Sequence, residues 1–150
     1  MTMFVFLINL LATWFLVGLI WTIQVVHYPL FAGVGADRFA AYQADHARLI
    51  TYIVGPTMLI EAATTVLLVV ARPPSIPAWI VWTGLLLLAV VWLSTALIQV
   101  PAHGRLADGF DAAIHQRLVS SNWIRTLAWT GRGVLLAIAC WPILAAASRS

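Results

Sequence analysis

All four histidines of this chain lie in two stretches that read as copies of one another. Ile23-Gln24-Val25 is followed by His27, Phe39 and His46-Ala47-Arg48-Leu49. Ile98-Gln99-Val100 is followed by His103, Phe110 and His115-Gln116-Arg117-Leu118. Neutral imidazole is the commonest nitrogen ligand for zinc, copper and iron. Two imidazoles on different helices can also hold a haem axially, with arginines for its propionates. His27, His46, His103 and His115 are therefore the candidate metal ligands, and a transition metal or haem is the candidate cofactor. No His-x-x-x-His or Glu-x-x-His spacing occurs, so ligands would have to come from different segments. Gln24 and Gln99, one turn deeper, are candidate substrate contacts or hydrogen-bond partners of ligating rings. The plainer reading is that each histidine sits at an interface bonded to a loop carbonyl, and each glutamine glues helices at about 0.6 kcal/mol per bond.

Repetition at matching places is the mark of a duplicated unit. Each copy starts at the end of one apolar segment and leads into another. The expected fold is all-α, an integral membrane four-helix bundle made of two tandem helical hairpins, with halves of about 1–72 and 78–150 in a single domain. Composition agrees: of 150 residues 63% are hydrophobic and only 9% charged, against about 25% charged in soluble domains. Mean hydropathy is +0.97. Four runs, 4–26, 49–71, 79–100 and 123–146, approach or exceed the roughly 20 helical residues that cross a hydrocarbon core. The first lacks the basic start and small-residue cleavage site of a signal peptide. The single cysteine, Cys140, excludes an internal disulfide or a thiolate cluster within one chain.

Arg72, Pro73, Pro74 and Pro77 make a tight connection between the halves. The longer connections, Pro29 to Arg48 and Pro101 to Asn122, are expected to carry short interfacial helices at Asp37 to His46 and Asp111 to Leu118, the second capped by Asp111. Arg38, Arg48, Arg105, Arg117 and Arg125 lie on the long-loop side, against Arg72 and Arg149 opposite. This bias places the long loops in the cytoplasm and both termini outside a bacterial inner membrane. The isoelectric point near 9.8 does not indicate nucleic acid: there is no lysine and the arginines are scattered. The expected partners are the lipid bilayer and a lipophilic small molecule. With GxxxG absent, no dimerisation motif specifies a homo-oligomer.

Each run also carries a polar stripe at helical spacing: Asn9, Thr13, Gln24 and His27; His46, Ile53, Thr57, Glu61 and Thr64; Thr95, Gln99 and His103; His115, Leu118, Asn122, Arg125, Trp129 and Arg132. Four such stripes are satisfied only by turning inward, which predicts a polar column open toward the long loops. By two-fold symmetry His27 should face His103, and His46 should face His115. Charges near a bilayer centre cost about 2.5–3.5 kcal/mol on insertion scales, so Glu61, Arg125 and Arg132 are the candidate catalytic residues. Glu61 and Arg132 lie at similar depth, roughly 18 and 14 Å into their helices, which also fits a buried ion pair without chemistry. Asn122 and Trp129 join Gln24 and Gln99 as candidate substrate contacts. Gly131 and Gly133 admit either a ligand or close helix packing. Trp79, Trp82, Trp123 and Trp141 occupy aromatic-belt positions, and Pro56 should bend the second span ahead of Glu61.

The string from Gln24 to Phe31, with Asn122-Trp-Ile-Arg-Thr126 and Gly131-Arg-Gly133, resembles an uncharacterised family of small bacterial four-helix membrane proteins over nearly the whole chain. More distantly, size, helix count and the His/Gln/Asn set are similar to anthrone-oxygenase-like membrane proteins, a likeness that implies oxidation of aromatic substrates. Two readings follow. One is a metal- or haem-dependent membrane oxidoreductase acting on a lipophilic molecule. The other is a non-enzymatic bundle that binds or moves a small solute or proton. Val17 and Trp21, apolar between Thr13 and Gln24, should close the column, as a blind pocket requires.

Overall fold

The computed structural model describes the backbone of residues 1–147 and the side chains through residue 141. The chain forms four long helices: α1 (Thr2–Gly33), α2 (Ala36–Val70), α3 (Ala78–Leu106) and α4 (Ala112–Ala147). α1, α2 and α3 are each long and apolar enough to cross a membrane. α4 is one unbroken helix and carries Arg117, Arg125 and Arg132. Arg149, counted above for orientation, lies outside the described residues.

The short interfacial helices expected at Asp37 to His46 and Asp111 to Leu118 are not separate elements. They are the first turns of α2 and α4. At 1.5 Å per residue these helices of 35 and 36 residues reach roughly 50 Å, well past a 30 Å hydrocarbon slab. A polar segment thus extends an apolar one without breaking it. Asp111 caps α4, its Oδ1 accepting from the Ile114 amide at 2.9 Å.

α1 and α3 each contain one π-helical turn, Ile23–His27 and Thr95–Gln99. Each turn ends two residues before a proline, Pro29 or Pro101. A proline inside a helix lacks its N–H and its ring collides with the carbonyl four residues back. Widening the preceding turn relieves that collision, and π turns of this kind recur at functional sites. The extra residue also shifts the helical phase. Tyr28, four residues after Gln24, stays in line with it on the buried face, while His27 is turned to its edge and is only half-buried.

The interior is layered. Toward the Pro-rich turn, Phe6, Leu68, Ile76, Ile80, Val81, Leu136 and Ala139 form one apolar cluster. Toward the other end, a larger cluster includes Leu16, Ile20, Phe31, Phe39, Met58, Val91, Leu106, Leu118 and Trp129. Between them lies a polar layer centred on Glu61 and Arg132. α1 packs closely on α2 and α4, and α3 on α4; α2 and α3 are the most loosely joined neighbours. That looseness leaves a cavity. Gly133 is packing, as the plainer of its two readings has it: a Cβ there would meet Val17 Cγ2 at 3.2 Å and Trp14 at 3.4 Å.

Candidate functional site

Glu61 and Arg132 meet in the middle of the bundle, 0% and 1% exposed. Arg132 Nε donates to Glu61 Oε1 at 2.9 Å. The Thr13 hydroxyl donates to the same oxygen at 2.6 Å, and Trp129 Nε1 to Oε2 at 3.0 Å. Arg132 also donates from Nη1 to the Gly84 carbonyl at 2.5 Å, and from Nη2 to Asn9 Oδ1 at 2.9 Å and the Thr65 hydroxyl. Asn9 Nδ2 in turn donates to Glu61 O, Thr64 Oγ1 and Thr65 Oγ1. Each hydrogen-bonding group of the pair is answered, which is the condition for tolerating a buried ion pair. Gly84 gives the guanidinium room: a Cβ there would stand 3.0 Å from Arg132 Nη1, which would have to shift by a few tenths of an ångström. The polar column expected between the helices is thus filled by its own side chains rather than open.

A second network lies nearer the long loops. Gln24 Oε1 accepts from Asn122 Nδ2 at 2.9 Å, and Gln24 Nε2 donates to Val119 O at 3.2 Å. Asn122 Oδ1 accepts from Arg125 Nε at 2.9 Å and Nη2 at 2.5 Å. Arg125 Nη2 also donates to the Tyr28 hydroxyl at 3.3 Å. Arg125 is 6% exposed and forms no ion pair with any carboxylate among the described residues.

The histidines do not pair as symmetry suggested. His27 Nε2 lies 2.8 Å from His46 Nδ1, within one hairpin, rather than facing His103. The His46 ring stands 5.3 Å from that of His103, centre to centre, and not against His115. His115 Nε2 bonds the Tyr28 carbonyl at 2.8 Å, and its ring stacks on Phe31. His27, His46 and His103 form the cluster, and His115 stands outside it.

Hydrogen-bond accounting fixes the proton positions around His103. Gln43 Nε2 lies 2.7 Å from His103 Nδ1 and 3.3 Å from His103 O. An amide nitrogen serves both only as donor, so Nδ1 accepts and Nε2 carries the ring proton. Nε2 then donates to the Tyr28 hydroxyl, 2.8 Å away. That oxygen therefore accepts from both His103 and Arg125, and its own O–H is free to point elsewhere.

Tyr28, His103, Arg125, Gln99 and Trp129 form the polar end of a cavity of about 580 Å³ between α2 and α3. Its remaining wall is apolar, including Leu16, Ile20, Ile23, Met58 and Trp92. Exposed Thr51, Leu59, Val100 and Gly104 frame a mouth on the side of the bundle. The volume falls in the roughly 300–1,000 Å³ range of small-molecule sites. Gln99 Nε2 donates to Ser121 Oγ at 3.1 Å, and Ser121 spends its proton on Arg117 O at 2.6 Å. The amide orientation of Gln99 is thereby set, and its Oε1, in a side chain 1% exposed, has no donor.

The expected site residues divide accordingly. Of Glu61, Arg125 and Arg132, only Arg125 lines this cavity. Gln99 and Trp129 line it; Gln24 and Asn122 stand behind Arg125 and hold it. His103 lines it, with His46 and His27 behind. Ile53, expected inward, is exposed. Tyr28, Gln43 and Gly84 are not among the residues expected from the sequence; the i+4 spacing of Tyr28 from Gln24 was the available signal for Tyr28.

For a metal, no group of three or more His, Cys, Asp or Glu side chains among the described residues is arranged to hold an ion. Two imidazole nitrogens on one tetrahedral ion, each about 2.0–2.1 Å from it, stand roughly 3.4 Å apart. His27 and His46, at 2.8 Å, are at hydrogen-bond distance instead. Comparisons with family models, curated proteins and solved structures return no match to this chain.

Proposed function

We propose that this chain is a membrane-embedded bundle that takes up a lipophilic small molecule from the bilayer and acts on its polar end with Tyr28, His103 and Arg125. The observation that carries this reading is the side-opening cavity, apolar along its walls and ending on those three groups with Gln99. A lipophilic molecule reaches such a mouth without entering water. The Tyr28 hydroxyl and the His103 imidazole form a two-membered proton relay beside it. The filled Glu61–Arg132 layer closes the other end, which favours a blind site over a conducting path.

An oxidoreductase is the enzymatic form of this reading, and the buried His46 Nε2, which has no partner, favours a version with a metal or haem near the ring cluster. Chelation through the other nitrogen, His46 Nδ1, together with His27 Nε2 would require those two atoms to part by roughly 0.5 Å. The test is native mass spectrometry and metal analysis of protein extracted in lipid nanodiscs, wild type against Gly55→Phe. Gly55 lines the cavity, and its nearest neighbour, Thr51 Cγ2, is 3.8 Å from an added Cβ. A bound small molecule lost in Gly55→Phe supports the site; identical spectra refute it. Stoichiometric metal lost in His46→Ala supports the metal-dependent form, and metal-free protein with full ligand occupancy refutes that form alone.

A further inference from the structure

Arg125 raises a charge-balance problem that its surroundings leave unsolved. Its guanidinium is buried, and its partners, Asn122 Oδ1 and the Tyr28 hydroxyl, are neutral. Arg132, the other buried arginine, has Glu61 at 2.9 Å. No carboxylate pairs with Arg125 among the described residues, and its Nη1 has no hydrogen-bond partner there. Burying a lone cation in an apolar setting is costly unless a counter-charge arrives. Arginine cannot shed its proton to escape that cost. Beside it the Tyr28 O–H is free, because both acceptor sites of that oxygen are filled by His103 and Arg125. Two donors, one of them charged, thus converge on the inner end of a cavity whose walls are apolar.

We infer that the ligand is an anionic amphiphile with a single apolar chain, its acid group docked on Arg125 and Tyr28 and its chain lying toward Met58 and Trp92. This rests on the cavity being the ligand site, and adds the charge and shape of what enters it. A carboxylate matches the two donors by charge-assisted hydrogen bonds. The cavity volume of about 580 Å³ suits one chain rather than the two of a phospholipid.

The experiment uses the full chain in phosphatidylcholine nanodiscs, with fluorescent cis-parinarate as reporter and dodecanoate, dodecanol, dodecylammonium and dioleoyl phosphatidic acid as competitors. Dodecanoate should displace the reporter about tenfold or more better than dodecanol, the ratio expected of one charge-assisted bond, and dodecylammonium should compete least. Arg125→Gln should erase the preference for dodecanoate over dodecanol. Asn122→Asp supplies the missing carboxylate beside the guanidinium, at the expense of the bond from Asn122 Nδ2 to Gln24 Oε1, and should erase it too, so the inference stays testable if Arg125→Gln does not fold. Equal competition by dodecanol and dodecanoate, or a preference surviving in Asn122→Asp, overturns the anionic head and leaves the cavity reading standing. Stronger competition by phosphatidic acid overturns the single chain. Saturable binding of none of the probes counts against the cavity reading itself.

Discussion

Replacing Glu61 by Gln changes almost nothing in size and removes one charge from the most enclosed point of the molecule. The amide oxygen can still accept from Thr13 or Arg132, but the new N–H₂ faces donors, either Trp129 Nε1 or Arg132 Nε. Arg132, 1% exposed, loses the carboxylate that it pairs with. Solvent screening offers no relief at that exposure. Breaking a buried pair by removing one partner costs about 3–5 kcal/mol, or roughly 10²- to 4 × 10³-fold in the folded-to-unfolded ratio. Arg132→Gln should cost a similar amount by stranding Glu61. The double variant removes both charges, leaves two amides that can bond each other, and should recover about 2 kcal/mol or more relative to the sum of the single losses. Reversible unfolding in mixed micelles, followed by tryptophan fluorescence, reads all three. A Glu61→Gln variant within about 1 kcal/mol of wild type, or strictly additive losses in the double variant, would refute the ion-pair account of this layer.

Glycines give a graded set. Gly84→Ala should destabilise by about 1–3 kcal/mol, since its Cβ would crowd Arg132 Nη1 at 3.0 Å; Gly18→Ala, with nothing within 4 Å, should stabilise by up to about 1 kcal/mol from helix propensity. The two melting temperatures check this, and shifts of the same sign contradict it. Tyr28→Phe removes the acceptor shared by Arg125 and His103, and should cost about 1–3 kcal/mol for the stranded donors while moving the His103 ring resonances in nitrogen NMR. His115→Ala should move the His103 ring nitrogens less than Tyr28→Phe does, because His115 bonds the Tyr28 carbonyl and no ring of the cluster; an equal or larger shift would contradict the separation.

Much of the fold was legible because membrane-type helices announce themselves through composition over some 20 residues, and little else in a sequence does. The pairing of Glu61 with Arg132 was legible from depth alone, since two charges that must be buried at matching heights have few other partners. The grouping of the histidines was not. Fixed 3.6-residue periodicity placed His27 inward with Gln24 and left Tyr28, on the same face four residues on, unremarked; the π turn ahead of Pro29 then rotates His27 away and keeps Tyr28 in line with Gln24. The same step makes Tyr28 the bridge between Arg125 and His103. Nor did the stripes reveal that most of their polar groups would bond one another, leaving the void beside the column rather than within it. A void is set by how two helices diverge, here α2 and α3, and no local pattern encodes that.

The central claim is that a lipophilic molecule occupies the space between α2 and α3. Photolabelling with an alkyl-diazirine amphiphile, followed by peptide mapping, tests it most directly. Saturable labels on the walls at Ile20, Met58 and Trp92, competed away by excess unlabelled amphiphile, are the expected result. Labels confined to the outward-facing Leu11, Leu86 and Ile138, growing linearly with probe and resisting competition, would contradict the account.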